Sequence, residues 1–124
     1  MARILVIEDD AQVRAMLRQM LERAGYEVVE APDGRAGVRL YRQEKADLII
    51  TDLIMPEKEG IETITELRRD FPDVKIIAIS GGGRIAPEVY LRMARSLGAL
   101  RTFAKPIERK EIIETVQELL HNEE

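Results

Sequence analysis

A chain of 124 residues, 45% hydrophobic and 34% charged, is sized for a single domain, residues 1–124, with a core of its own. The absence of cysteine excludes a disulfide framework, a thiolate metal site and a cysteine nucleophile. A net charge of -4 with scattered basic residues, and only 4% aromatic residues, excludes the basic stripe of a direct nucleic-acid binder.

The first apolar run, Ile4 to Ile7, reads as a short buried strand. It is too short for a signal-peptide core or a membrane span, so no membrane association is expected and the chain reads as cytoplasmic. Asp10 caps a helix whose apolar positions Val13, Met16, Leu17, Met20, Leu21 and Ala24 recur at three and four, and Gly25 stops it. Tyr26–Ala31 is a second strand, and Asp33-Gly34 opens a helix carrying Ala36, Val38, Leu40 and Tyr41. Leu48–Thr51 is the third strand, apolar on both faces as a central parallel strand must be. A helix from about Glu59 turns Ile61, Ile64 and Leu67 inward and ends by Phe71-Pro72. Lys75–Ser80 is the fourth strand. After Gly81-Gly82-Gly83 a helix starts near Pro87, with Val89, Met93 and Leu97 as its inner stripe and Gly98 as its stop. Leu100–Ala104 is a short fifth strand. Ile112, Ile113, Val116, Leu119 and Leu120 mark the last helix, with His121 a solvated residue at its frayed end.

Strands alternating with helices predict one parallel α/β sheet covered on both faces. Parallel strands end on one edge, and ligands bind outside those ends. That edge receives Glu8 and Asp9 after the first strand, Asp52 after the third, Ser80 at the end of the fourth and Lys105 after the fifth. Crowded carboxylates resist ionising, and a hard divalent cation such as Mg²⁺, which prefers oxygen ligands, removes that penalty. With an ammonium and a hydroxyl beside them, they form a kit for placing a phosphoryl group on Asp52.

These residues resemble the receiver domain of two-component response regulators. The likeness is carried by IEDD (Ile7–Asp10), TDLIMP (Thr51–Pro56) with Gly60, AIS (Ala78–Ser80), LGA (Leu97–Ala99) and AKP (Ala104–Pro106), and it spans the chain. It implies a doubly wound, flavodoxin-like fold of strand order 2-1-3-4-5 flanked by five helices. It implies that Asp52 accepts a phosphoryl group from a histidine kinase or phosphotransfer protein. Asp9 would bind Mg²⁺ directly and Glu8 through water, with Asp52 and the backbone carbonyl of Ile54 as further ligands. Lys105 would pair with a phosphoryl oxygen, ahead of a cis bond to Pro106, and Ser80 would swing toward the phosphoryl group as the switch. The output would be altered binding of an unidentified downstream protein, with the fourth helix, fifth strand and fifth helix as a pairing surface between copies. Such a chain signals and does not turn over a substrate, so it is not read as an enzyme. It is expected to act as a stand-alone receiver, the alternative being one part of a longer regulator or hybrid histidine kinase.

Plainer readings compete at several positions. Asp10 is a cap, and Glu8-Asp9 could serve only the helix dipole. Ser80 before glycines could be turn chemistry, and the glycine run lacks the ending of a nucleotide loop. A flavin carrier of the same topology would want a Ser/Thr/Gly-rich loop where Glu8–Gln12 stands, and an aspartyl phosphohydrolase would want a carboxylate where Ile54 stands. Two departures from the family pattern bear on mechanism. Thr102 occupies the place of the usual aromatic switch residue, while Phe103, one residue on, falls on the opposite face of its strand. Ile54 and Gly82 carry no polar group to orient an attacking water, which predicts slow self-hydrolysis of the acyl phosphate.

Overall fold

Every run that the sequence marks as a strand lies in one sheet. The computed structural model describes residues 1–53, 60–81 and 87–121. Strands β1 (Arg3–Ile7), β2 (Glu27–Ala31), β3 (Leu48–Asp52), β4 (Ile76–Ser80) and β5 (Arg101–Ala104) alternate with helices α1 (Ala11–Arg23), α2 (Gly34–Gln43), α3 (Gly60–Asp70), α4 (Pro87–Ser96) and α5 (Arg109–His121). All neighbours are parallel, in the order β2-β1-β3-β4-β5. Ile54, Glu59 and Gly82, on which some expectations fall, lie outside the described residues.

Alternation along the strands divides the core in two. Leu5, Ile7, Ile49, Ile76 and Ala78 face α2, α3 and α4, meeting Val38, Tyr41, Ile64, Leu67, Leu91 and Ala94. Ile4, Val6, Leu48, Ile50, Ile77 and Ile79 face α1 and α5, meeting Leu17, Leu21, Ile112 and Val116. Burial on both faces explains why β1, β3 and β4 read as unbroken apolar runs. Each buried Leu or Ile contributes about 1.5–3 kcal/mol relative to exposure, and the sheet is anchored by that burial.

Local chemistry sets the helix ends. Asp10 Oδ1 accepts from the backbone N–H groups of Gln12 and Val13 at 2.9 and 3.3 Å, and Asp33 Oδ1 accepts from Ala36 N–H at 2.9 Å. Gly25 and Gly98, read as stops, take φ of 98° and 114°, a region that costs other residues strain. Among the described residues no helix is long and apolar enough to cross a membrane.

Three expectations are corrected. On α4, Val89 and Met93 do not face inward: they are 40% and 44% exposed, and Leu91 and Ala94 hold the buried side with Leu97 packed partly against it. Helix α4 lies along β4 and β5, and fully buried Ala94 lets its backbone approach where a longer side chain would not fit. On α1, Met16 is 40% exposed and Ala24 is also outside. His121 is the last residue of α5 and is exposed as expected, yet it is not simply solvated: its Nε2 lies 3.0 Å from Tyr26 Oη.

Candidate functional site

Register brings the functional groups together. Ile7 stands opposite Thr51, Asp52 opposite Ile79, and Ser80 opposite Ala104, so β1, β3, β4 and β5 finish on one edge. Glu8 and Asp9 leave β1 there, Asp52 closes β3, Ser80 closes β4 and Lys105 follows β5. The backbone continues the ladder past the strands: Glu8 N–H donates to Ala31 O at 3.0 Å, Leu53 N–H to Ile79 O at 2.9 Å and Lys105 N–H to Ser80 O at 2.9 Å.

The carboxylates of Glu8, Asp9 and Asp52 each offer an oxygen within 4.8 Å of the others. Three carboxylate oxygens at this spacing suit a hard divalent cation such as Mg²⁺, which takes oxygen ligands. Burial differs among them. Glu8 is 1% and Asp52 5% exposed, while Asp9 is exposed. A hard cation therefore fits the donors present: all are carboxylate oxygens, and Glu8 Oε1 is buried with no hydrogen bond among the described residues.

Lys105 supplies the counter-charge. Its Nζ donates to Asp52 Oδ2 at 3.1 Å and stands 3.0 Å from Glu8 Oε1, an ion pair whose alignment is not that of a hydrogen bond. Burial alone would lower the Lys105 pKa, but the pull of Glu8 and Asp52 outweighs it and the pKa is raised. Glu8 goes the other way. Burial first, then the neighbouring Asp52 charge, push its pKa up to about 7, against the opposing pull of Lys105 and the Asp10 N–H. That N–H donates to Glu8 Oε2 at 3.1 Å.

Two glycines shape the floor. A Cβ on Gly60 would lie 2.2 Å from the Asp52 carbonyl oxygen and 2.5 Å from Leu53 Cα, so α3 can start against the end of β3 only with glycine there. A Cβ on Gly81 would lie 2.2 Å from Lys105 Cβ, so the lysine stem runs over bare backbone. Ser80 is fully buried, and its Oγ has no hydrogen-bond partner among the described residues. The Lys105-Pro106 bond is cis.

Thr102 pairs with Ala78, whose face carries α4, whereas Phe103 packs with Ile77 and Ile79 on the face of α1 and α5. The phenyl ring is thus on the far side of the sheet from Ser80, which shares the parity of Ala78. The sequence identified Glu8, Asp9, Asp52, Ser80 and Lys105, and the structure brings all of them to this edge. It missed Gly81 as the bed of the lysine stem, although the run of three glycines marked the place.

A five-stranded sheet of this order with an acidic cluster at its C-terminal edge defines a receiver-type, flavodoxin-like domain. The family model described as the response regulator receiver domain matches residues 4–117, and the chain belongs to that family. It is 35% identical over 118 residues to the chemotaxis protein CheY of Thermotoga maritima, covering 94% of this chain and 96% of that protein. It is 33% identical over 121 residues to the transcriptional regulator NtrC of Azospirillum brasilense, covering 98% of this chain but 24% of that one. Among solved structures, the response regulator TrrA of Thermotoga maritima in complex with Mg(2+)-BeF superposes with a TM-score of 0.83 at 29% identity, over 97% of this chain and all of that one (100%).

Proposed function

We propose that this receiver is a Mg²⁺-dependent phosphoacceptor switch in which Asp52 carries the phosphoryl group. The observation that carries the proposal is the convergence at one strand edge: Lys105 Nζ sits 3.1 Å from Asp52 Oδ2, and the oxygens of Glu8, Asp9 and Asp52 lie within 4.8 Å of one another. An Asp52 oxygen attacks the phosphorus of a phosphohistidine on a kinase or phosphotransfer protein. The P–N bond breaks and its electron pair returns to the imidazole, which leaves an acyl phosphate on Asp52. Asp9 and Asp52, with Glu8 through water, would hold Mg²⁺, which would supply charge neutralisation for the carboxylates and the phosphoryl oxygens. Lys105 is already placed to follow a charge that grows on Asp52. Ser80, a buried donor without a partner among the described residues, has a reason to move toward the new oxygens. The Mg(2+)-BeF complex of TrrA supports the same ligand chemistry here.

The product is a change of state and not a released molecule, so the chain works as a cytoplasmic switch and not as an enzyme. A phosphoryl group adds about -2 charge at the edge and biases a two-state surface. The face of α4, β5 and α5 suits that output: Val89, Met93 and Leu100 are 40%, 44% and 42% exposed there, apolar area for a downstream protein or a second copy.

The test is incubation with acetyl phosphate and Mg²⁺ followed by intact mass spectrometry. Wild type gains the mass of one phosphoryl group and Asp52→Asn gains none. An unmodified wild type, or an equally modified Asp52→Asn, overturns the assignment.

A further inference from the structure

Arg14 lies one turn into α1 and takes no part in the chemistry described above. Its Nη1 donates to the backbone carbonyl of Glu8 at 2.8 Å. Its Nε stands 3.7 Å from Glu30 Oε1 at the end of β2, and the other oxygen of Glu30 accepts from Arg18 Nη1 at 2.7 Å. The backbone of Glu8 is therefore held on both sides of its Cα: the N–H of the preceding peptide donates to Ala31 O at 3.0 Å, and the carbonyl of the following peptide accepts from Arg14.

The carbonyl that Arg14 holds belongs to the peptide joining Glu8 to Asp9, the residues that turn two of the three carboxylates toward Asp52. Rotation of that peptide moves the backbone from which both acids project. Three anions that repel one another would relax by such a rotation unless something opposed it. The side chain of Arg14 is 22% exposed, so its donor is held by packing as well as by Glu30.

We infer that Arg14 is a positioning residue for the cation site: through the Glu8 carbonyl it holds the Glu8–Asp9 turn in a geometry ready to receive a divalent ion. The inference rests on the reading of the edge as a Mg²⁺ site. Groups that orient metal ligands without touching the metal typically carry an effect of 10–100-fold on affinity.

The sign of the effect separates positioning from charge. Arg14 is a cation near a cation site, so deleting it by charge alone would tighten Mg²⁺. Loss of a held turn weakens it. Mg²⁺ alone is titrated into the full chain, with binding followed by amide NMR shifts and folding followed by urea midpoints on the same samples. Arg14→Met keeps the stem, and its Mg²⁺ affinity is expected to fall about tenfold. Arg14→Ala is expected to fall as far, and Arg14→Lys, which restores a donor and the charge, to recover most of the loss. Arg18→Met deletes the same charge one turn further along α1, and its affinity is expected to stay the same or rise slightly.

Unchanged or tighter binding in Arg14→Met overturns the inference, as does an equal fall in Arg18→Met. A variant less stable in urea but with wild-type affinity while folded shows a structural role only and also overturns it. If Arg14→Ala does not fold, Arg14→Met and Arg14→Lys decide the matter. Wild type that shows no Mg²⁺-dependent shifts at Glu8, Asp9 or Asp52 overturns the reading of the site itself, and a failure confined to the Arg14 variants does not.

Discussion

Glu8 bears the conflict at the strand edge. Its carboxyl is buried, lies beside Asp52 and has its pKa raised to about 7, whereas an ordinary glutamate releases its proton near 4.5. Between those two values the folded chain holds a proton that the unfolded chain has lost. Stability contributed by Glu8 therefore falls as pH rises through that window and levels off above it. Glu8→Gln, which cannot ionise, is expected to be more stable than wild type above pH 7 without Mg²⁺. The gap should narrow as the pH approaches 4.5, read by urea midpoints at several pH values. A gap of opposite sign would mean that the Lys105 ion pair outweighs burial and repulsion together. Gly60 poses a steric question at the same edge. A methyl group there would meet the Asp52 carbonyl oxygen and Leu53 Cα, both backbone atoms that cannot swing away. Gly60→Ala is expected to cost about 1–3 kcal/mol by overpacking, seen as a lower urea midpoint at unchanged slope.

Helix α4 has two apolar stripes and uses one. Leu91 and Ala94 are buried against the sheet, while Val89 and Met93 face outward. Leu91→Ala is expected to cost about 2–4 kcal/mol, and Met93→Ala to stay within about 0.5 kcal/mol. Equal costs, measured by denaturation, would contradict this rotation of the helix. The sequence could not choose between the stripes. Val89, Met93 and Leu97 repeat every four residues and satisfy an amphipathic pattern as well as Leu91, Ala94 and Leu97 do. What decides is the close approach of α4 to β4 and β5, which favours the small Ala94, and no local pattern carries that information. Strands were easier to read. Burial on both faces leaves unbroken apolar runs, and only their ends shifted, by a residue, as at β2, β4 and β5. The parity of β5 was legible too: alternation alone put Thr102 and Phe103 on opposite faces, and their packing agrees. A switch centred on Ser80 is therefore expected to proceed without Phe103. With beryllofluoride and Mg²⁺, the Ser80 amide resonance is expected to shift while the Phe103 ring keeps its environment, and rotation of that ring into the Ser80 site would refute it.

At the scale of the whole molecule, the sheet order turns a linear string into a charged rim, and this is why most of the site could be read before the fold was known. Glu8, Asp9, Asp52 and Lys105 are marked by residue type at the ends of apolar strands. Arg14 was not legible, because its partner is a backbone carbonyl that every residue type carries. The proposed Mg²⁺ site on this rim predicts how the folded chain would respond to metal. A cation that binds the folded state and not the unfolded one raises stability by about 2.7 kcal/mol at 100 times its dissociation constant. Wild type brings three carboxylates to the site and Asp52→Asn brings two. Without metal, the substitution relieves the Asp52 charge that helps to raise the Glu8 pKa, and Lys105 keeps Glu8 as its partner at 3.0 Å. Asp52→Asn is therefore expected to melt above wild type in chelator and to gain less from added Mg²⁺. The two melting curves then cross as Mg²⁺ is raised at constant ionic strength. Constant ionic strength matters because general screening would also quiet the repulsion without any bound ion. If both proteins gain equally, the added ion acts by screening or binds elsewhere, and Asp52 is not one of its ligands.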